Sequence, residues 1–223
     1  MPVEWTRRRL AACIDQTLLS PTATEEQIRS ICRSAKSWKF AAVCANPCYL
    51  PTVVSELQES EVTACTVIGF PLGANASRTK AAEAELAVMQ GAGEVDMVMH
   101  IGALKEGRHK YAQEDIRMVV SAAAGALVKV IIEACFLTDE EKVVACQLTE
   151  SAGAHFVKTS TGFGSGGATT SDVRLIRATV GNSMGVKASG GIRTCNDAVA
   201  MLEAGANRIG TSSGEEILAE LTS

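Results

Sequence analysis

Short apolar runs alternate with longer amphipathic segments along the whole sequence, and this alternation is its main structural signal. Runs of this kind, each followed by a segment with helical spacing, predict buried strands that alternate with helices. The pattern predicts eight strands. They cover residues 10–14, 41–44, 62–68, 94–99, 128–133, 155–158, 185–188 and 207–210.

The segments between these runs carry the signals with which helices begin. Thr24 precedes Gln27, and Thr138 precedes Glu141, in the spacing of a capping box. Further helices are predicted over residues 77–90, 194–203 and 213–221, which are rich in strong helix formers or apolar residues at helical spacing. The Arg7-Arg8-Arg9 run is typical of a solvated helix face.

A Gly-Ala pair recurs at three places where a helix gives way to a strand. The pairs begin at Gly91, Gly153 and Gly205. Glycine just past a helix end adopts the left-handed conformation without steric cost. The repetition indicates one strand–helix unit used again and again, which favours a closed (β/α)8 TIM barrel over residues 1–223 as a single domain. A doubly wound open sheet is the alternative.

Composition limits the classes of function. The net charge of −4 is small and mixed in sign, so neither nucleic acid nor an anionic membrane is an expected partner. No apolar run reaches the length that spans a bilayer, and the first residues lack the apolar stretch of a signal peptide. Eight cysteines without zinc-type spacing indicate reduced thiols in a cytoplasmic protein, with no metal site.

Lys158 and Lys187 each close an apolar run at the point where a Gly-rich loop begins. Lysine is rarely buried without a partner or a task. Two ammonium groups close together disfavour each other's charge, so one amine becomes partly neutral near pH 7. Because a neutral amine attacks carbonyl carbon, the pair predicts Schiff-base chemistry.

Further polar residues fall on or just after the predicted strands, where barrel enzymes have their active sites. Asp96 lies inside an apolar strand and is either a structural ion-pair partner or a proton-transfer carboxylate. Lys129 and Glu133 share a strand face, which favours pairing with neighbouring strands inside the barrel. Asp15 favours a turn role when taken alone, with hydroxyl binding as the alternative.

Gly-rich turns follow three adjacent predicted strands. They contain Gly162, Gly190-Gly191 and the segment from Gly210 to Gly214. Any one of them is explained by a tight turn, but loops after the seventh and eighth strands of such barrels, with a helix start nearby, form the usual phosphate site. We therefore expect a phosphorylated substrate.

Seven segments, in order along nearly the whole chain, resemble the deoxyribose-phosphate aldolase family. They begin at Ile14 (IDQTLL), Val43 (VCANP), Val67 (VIGFPLG), Glu94 (EVDMV), Lys129 (KVIIE), Phe156 (FVKTSTG) and Val186 (VKASGGI). The resemblance implies a class I aldolase on a TIM barrel, without metal or organic cofactor. Such an enzyme reversibly cleaves 2-deoxy-D-ribose 5-phosphate to D-glyceraldehyde 3-phosphate and acetaldehyde, in deoxyribose phosphate catabolism.

The resemblance also implies roles for individual residues. Lys158 matches the Schiff-base lysine, Lys187 the second lysine that favours its neutral form, and Asp96 the proton-relay carboxylate. The matches to cavity-lining and phosphate-loop positions are Asp15, Thr17, Cys44, Gly190, Gly191, Ser212 and Ser213. Lys129, Thr161 and Gly162 are further candidate substrate-binding residues because of their places on or after the predicted strands.

The chain departs from common family residues at three positions. Gln16 replaces a frequent His, His100 a frequent Asn, and Phe163 a Lys that helps hold phosphate in some members. The last difference weakens the expected grip on phosphate.

Two other functions stay open at this point, and the oligomer is not fixed. One is a related Schiff-base barrel enzyme for another sugar phosphate, and the other a phosphate-binding sensor whose lysines only form ion pairs. A homodimer and a homotetramer are both compatible with the sequence.

Overall fold

A computed structural model describes residues 5–221. In this part of the chain eight parallel strands close into a barrel in sequential order. The strands are β1 (Ile14–Leu18), β2 (Ala42–Ala45), β3 (Thr63–Ile68), β4 (Glu94–Val98), β5 (Leu127–Ile131), β6 (Phe156–Lys158), β7 (Gly185–Ser189) and β8 (Arg208–Thr211). The TIM barrel is thus confirmed, and the open sheet is excluded because β1 pairs with β8.

Helices follow the strands and pack around the outside of the barrel. They are α1 (Arg7–Ala11), α2 (Glu25–Trp38), α3 (Leu50–Glu56), α4 (Ser77–Met89), α5 (Ile101–Lys105), α6 (His109–Ala122), α7 (Asp139–Ser151), α8 (Thr170–Val180), α9 (Cys195–Glu203) and α10 (Gly214–Ala219). Two short 3-10 helices, Pro47–Tyr49 and Ala134–Phe136, follow β2 and β5. Between residues 5 and 221 every helix is too short or too polar to cross a bilayer.

The predicted helix signals act as expected. Thr24 and Thr138 both form complete capping boxes, with Gln27 and Glu141. At the Gly-Ala pair after α4, the Gly91 N–H donates to the Val88 carbonyl and the Ala92 N–H to the Ala87 carbonyl. This is the Schellman arrangement, and Gly91 takes the left-handed conformation, with φ of 100°, that the motif requires.

The first predicted strand is wrong by several residues. Leu10 belongs to helix α1, which Thr6 caps, and β1 begins only at Ile14. Leu10 is fully buried on the inner face of this helix while Arg7, Arg8 and Arg9 are exposed. The apolar residues after the arginines therefore belong to two elements, a helix and a strand, which a short apolar run does not distinguish.

The fifth strand is also shorter than predicted, because β5 ends at Ile131. Glu133 lies beyond it in a left-handed conformation, with φ of 50°. Consequently Glu133 does not continue the inward face of Lys129.

The barrel interior is divided into two chemically different halves. The side of β1–β3 holds a small apolar and thiol cluster formed by Leu19, Ala42, Cys44, Cys65 and Val67. The rest of the interior holds buried charged groups from β4–β8 together with Asp15 of β1. The outward-facing strand residues pack against the helices in a separate, larger core. The division leaves one interior region for charge chemistry, next to the carboxyl ends of the strands.

Candidate active site

Asp96 lies at the centre of a buried cluster of lysines. Its Oδ1 accepts from Lys129 at 2.8 Å, and its Oδ2 contacts Lys158 at 2.8 Å and Lys187 at 2.7 Å. Strand pairing produces this arrangement, because Asp96 is the register partner of Lys129, and Lys158 is that of Lys187. All four side chains alternate inward on adjacent or facing strands. The structure thus brings together the two lysines and the aspartate that the sequence singled out.

The three lysines differ in the carboxylates available to them. Lys187 also contacts Asp15 at 2.6 Å, and Lys129 also contacts Glu94 at 2.5 Å. Within residues 5–221, the ion pairing of Lys158 is limited to the Asp96 oxygen that it shares with Lys187. Of the three lysines in the cluster, Lys158 therefore has the fewest carboxylate contacts.

The buried partners of Lys158 are held in their ionised forms. Burial opposes ionisation of Asp96, but the charges of Lys129, Lys158 and Lys187 outweigh it and hold its pKa well below the usual range. Burial likewise disfavours the charged form of Lys187, yet Asp15 and Asp96 raise its pKa above the usual value. The same balance, dominated by Asp96 on the attractive side, raises the pKa of Lys129. Lys187 is accordingly a permanent cation beside Lys158.

A cavity of about 320 Å³ opens above this cluster at the carboxyl ends of the strands. Lys158 lies at its floor with 2% of its surface exposed. Seven of the predicted site residues line the cavity: Thr17, Lys158, Thr161, Gly162, Gly190, Gly191 and Ser212. Arg193 and Phe163 line it as well. The cavity thus connects the reactive amine with the Gly-rich loops.

The predicted residues that do not line this cavity lie below its floor or beside it. Asp15, Cys44, Lys129, Lys187 and Asp96 are fully buried in the barrel interior. Ser213 is the N-cap residue of α10, and its N–H donates to the Thr211 hydroxyl at 3.0 Å. The structure therefore separates an inner charged layer from an outer substrate cavity.

Gln16 fixes the loop after β8. Its Nε2 donates to the Ser212 carbonyl at 3.1 Å, and its Oε1 accepts from the Gly214 N–H at 3.1 Å. The side chain thereby joins β1 to both sides of Ser213. Gln16 was noted in the sequence only as a departure from a frequent family His, and the structure shows that it holds the loop that contributes Ser212 to the cavity.

Glu133 fixes the loop after β6. Its carboxylate accepts from the Thr161 N–H at 3.1 Å and also from the Thr161 hydroxyl. The expectation that Glu133 pairs with neighbouring strands inside the barrel is wrong, because the left-handed turn after β5 directs it to this loop instead. The Thr161 hydroxyl in turn accepts from the Phe163 N–H at 3.0 Å. Glu133 thus shapes the loop that carries Gly162 and Phe163.

The thiols beside the lysine cluster are register partners. Cys44 and Cys65 pair across β2 and β3, and the Cys65 thiol lies 3.4 Å from Asp96 Oδ1 and 3.6 Å from Lys129 Nζ. Together with Asp96 they offer three ligand atoms within 4.8 Å of one another. Both oxygens of Asp96 already contact ammonium groups, and a metal cation here would face the charge of three lysines. These residues are poorly suited to hold a metal.

Two charged residues of the interior were not predicted. Arg208 contacts Asp15 Oδ1 at 2.5 Å and Glu94 Oε2 at 2.9 Å, at the amino-terminal end of the barrel. Glu94 lies two residues before Asp96, so the period of a strand places both on the same face. Arg208 is the charged residue within a short apolar run, as the two lysines are. The signals were present, but only the closed barrel shows that these residues extend the lysine cluster.

The comparisons with known proteins agree with one another. A sequence model described as DeoC/LacD family aldolase matches residues 9–220. The chain is 57% identical over 219 residues to a deoxyribose-phosphate aldolase of Carboxydothermus hydrogenoformans, covering 96% of each protein. It is 58% identical over 206 residues to one of Clostridium novyi, covering 92% of this chain and 93% of that protein.

The fold is also similar to that of a solved relative. The tetrameric deoxyribose phosphate aldolase of Aeropyrum pernix superimposes with a TM-score of 0.90 at 37% identity, covering 96% of this chain and 91% of the other.

Proposed function

The chain belongs to the DeoC/LacD family of aldolases, and from this premise we propose that it reversibly cleaves 2-deoxy-D-ribose 5-phosphate to D-glyceraldehyde 3-phosphate and acetaldehyde. It is a lyase that acts as a class I, Schiff-base aldolase. The observation that carries the proposal is the position of Lys158, whose amine lies at the cavity floor and shares one oxygen of Asp96 with Lys187.

Lys158 is the nucleophile in this proposal. Its neutral amine attacks the C1 carbonyl carbon of the open-chain sugar phosphate and forms a carbinolamine, which takes up a proton from solvent and loses water to give a protonated imine. Lys187 remains a cation beside Lys158, because Asp15 and Asp96 stabilise its charge. The cation disfavours a second positive charge on Lys158 and so maintains the reactive form near neutral pH.

Asp96 serves proton transfer at the next step. The C3 hydroxyl gives its proton to this carboxylate, directly or through a water molecule, and its oxygen forms a carbonyl as the C2–C3 bond breaks. The electron pair of that bond moves into the imine and leaves an enamine on Lys158. After D-glyceraldehyde 3-phosphate leaves, C2 is protonated and water hydrolyses the imine to acetaldehyde and the free amine.

The outer end of the cavity would hold the phosphate. Gly190 and Gly191 both have positive φ, of 88° and 81°, and Gly162 and Ser212 line the same cavity. A backbone without side chains lets N–H groups approach an anion closely, and Arg193 supplies the positive charge that Phe163 does not. A cavity lined both by Lys158 and by these loops fits a substrate that carries an aldehyde and a phosphate at opposite ends.

A coupled assay tests the function. Purified enzyme is expected to release D-glyceraldehyde 3-phosphate from deoxyribose 5-phosphate, followed by NADH consumption with auxiliary enzymes. Borohydride added with acetaldehyde should leave one ethyl group on Lys158, located by peptide mass spectrometry. Lys105→Arg, at an exposed lysine of helix α5, is the matched control for Lys158→Arg, which should lose both turnover and trapping. Retained turnover in Lys158→Arg would overturn the proposal in favour of a binding protein.

We also propose that the enzyme is a cytoplasmic homo-oligomer. All eight cysteines lie unpaired, as expected in a reducing compartment. The relative from Aeropyrum pernix is tetrameric, and helix α4 exposes Leu86 and Met89 beside a groove toward α6. Light scattering should report a homodimer or a homotetramer, and a monomer at micromolar concentration would contradict this part of the proposal.

A further inference from the structure

The charged groups inside the barrel form one continuous column. It starts with Arg208 and Glu94 at the amino-terminal end and reaches Lys158 at the cavity floor through Asp15, Lys187, Lys129 and Asp96. The side chain of Arg208 is 15% exposed, and those of the other members are at most 7% exposed. Because water screens these charges little, the number of positive and negative groups in the column matters.

Within residues 5–221 the column contains three carboxylates and four basic groups. Asp15 bonds Arg208 with one oxygen and Lys187 with the other, and Glu94 is shared by Arg208 and Lys129. Arg208, Lys129 and Lys187 are thus sufficient to neutralise all three carboxylates. The fourth basic group is Lys158, for which no unshared carboxylate oxygen is left in the column.

We infer that Arg208 is a positioning residue for the proposed aldolase reaction, whose charge at the far end of the barrel keeps Lys158 in its neutral, nucleophilic form. The inference rests on the proposed function. Without Arg208, three carboxylates would face only Lys129, Lys187 and Lys158. A buried carboxylate is then neutralised only if Lys158 holds its proton, so the amine would become reactive at a higher pH.

Several other titratable groups surround Lys158 and contribute to the electrostatic potential at its amine. Lys129 and Lys187 flank it on the neighbouring strands, while Asp15, Glu94, Asp96 and Arg208 face it across the interior. The remaining groups are the thiols of Cys44 and Cys65. Burial raises the pKa of Cys65 well above the usual value, whereas its hydrogen bond to Cys44 lowers the pKa of Cys44. Of these two thiols, Cys44 is therefore the one that ionises more readily and could add a negative charge beside the lysines.

The test compares pH–rate profiles of four proteins: the natural enzyme, Arg208→Gln, Glu94→Gln and the double variant. In Arg208→Gln the acid limb should move to higher pH by about one unit, so turnover near pH 7 falls about tenfold while the alkaline plateau is largely kept. In Glu94→Gln, which removes a carboxylate instead, the acid limb should move to lower pH. The double variant, whose charge balance equals that of the natural enzyme, should return the midpoint to its original position.

Two further variants separate the explanations. Arg208→Lys keeps the positive charge and should keep the midpoint of the acid limb. Cys44→Ser, combined with the other variants, should leave their midpoint shifts unchanged. If Arg208 had a merely structural role, Arg208→Gln would lower turnover equally at every pH, and this result would overturn the inference. Acid-limb midpoints of Arg208→Gln and Glu94→Gln that move in the same direction would also overturn it. If Arg208→Gln does not fold, the pH–rate profile of Glu94→Gln alone tests the inference. A Glu94→Gln midpoint that does not move to lower pH would contradict the charge-balance argument.

The two proposals fail differently. Borohydride trapping of acetaldehyde on Lys158 of the natural enzyme tests the Schiff base itself, independently of Arg208. Trapping without any midpoint shift in the variants would leave the aldolase proposal standing and reject the role of Arg208. Absence of trapping in the natural enzyme would reject the aldolase proposal first.

Discussion

Lys158 and Lys187 are register partners on neighbouring strands, and both ammonium nitrogens contact Oδ2 of Asp96, at 2.8 and 2.7 Å. Of these two lysines, only Lys187 contacts a second carboxylate within residues 5–221, and that carboxylate is Asp15. One oxygen therefore joins two lysines whose electrostatic surroundings differ, which is the physical basis for different charge states of two neighbouring amines.

Replacing Lys187 by Leu should shift the acid limb of the pH–rate profile to higher pH. The substitution removes the cation beside Lys158 and leaves Asp96 Oδ2 to Lys158 alone, so the protonated amine is stabilised. We expect turnover near pH 7 to fall about 10–100-fold, since a factor of ten corresponds to about 1.4 kcal/mol. The measurement is a pH–rate profile, with Lys36→Leu on the outer surface of α2 as control. An unchanged profile would reject the tuning role of Lys187.

Asp96→Asn should separate imine formation from turnover. The amide keeps the shape of the side chain but cannot accept the C3 proton as a carboxylate does, so kcat should fall by about 10²–10⁴. Borohydride trapping of acetaldehyde should persist, because the amine of Lys158 remains. The matched control is Asp115→Asn, another fully buried carboxylate, which lies outside the site and should keep kcat per folded molecule. Equal loss of kcat in both variants would indicate a structural effect only.

The free energy of unfolding should fall at acid pH because the Asp15 carboxylate becomes protonated. Burial raises its pKa, but Lys187, Lys129 and Arg208 more than compensate and hold the pKa below its usual value. The folded pKa is depressed, so the carboxylate stabilises the fold above about pH 4–5, and this contribution is lost as pH falls toward the folded pKa.

Urea unfolding of the natural protein and Asp15→Asn measures this contribution. The difference in unfolding free energy should be about 3–5 kcal/mol near pH 7 and should narrow as the pH falls toward 3. Asp139→Asn, an exposed carboxylate, should change stability by less than about 1 kcal/mol throughout. A difference for Asp15→Asn that is constant with pH would contradict the assignment.

Phe163→Lys should improve recognition of phosphate. Phe163 lines the cavity, is 52% exposed and packs edge-on against Phe70 at 5.3 Å. A lysine there adds a charged donor that solvent partly screens, so KM for deoxyribose 5-phosphate should fall about fivefold, equivalent to about 1 kcal/mol. KM for unphosphorylated deoxyribose is expected to stay constant, and Phe163→Leu serves as control. If KM changed equally for both sugars, the added lysine would not act through the phosphate, and the prediction would be contradicted.

Lys80→Met should destabilise the barrel without altering the chemistry. Lys80 and Asp115 form a fully buried ion pair of 2.6 Å between α4 and α6, and Lys80 also donates to the Val98 carbonyl. Removing one partner leaves an uncompensated buried charge and should cost about 3–5 kcal/mol. The double variant Lys80→Met/Asp115→Leu should recover most of this loss in urea unfolding. Equal stability of the single and double variants would show that the pair is not coupled.

The sequence by itself determined the elements whose signals are local. The capping boxes at Thr24 and Thr138 and the Gly-Ala helix ends each depend on a few consecutive residues, and the structure has them as predicted. The alternation of strands and helices favoured the barrel, but only the pairing of β1 with β8 excluded the open sheet. Lys158, Lys187 and Asp96 were identified because a charge inside an apolar run is conspicuous in any sequence.

Only the tertiary structure decided which charged groups meet. The pairing of Arg208 with Asp15 joins residues 193 positions apart, and the turn at Glu133 directs a carboxylate to Thr161 rather than to the interior. Leu10 was assigned to a strand because a run of apolar residues does not show where a helix ends and a strand begins. Contacts across a closed barrel depend on register and on the direction of each side chain, which distant parts of the chain fix jointly and no local pattern contains.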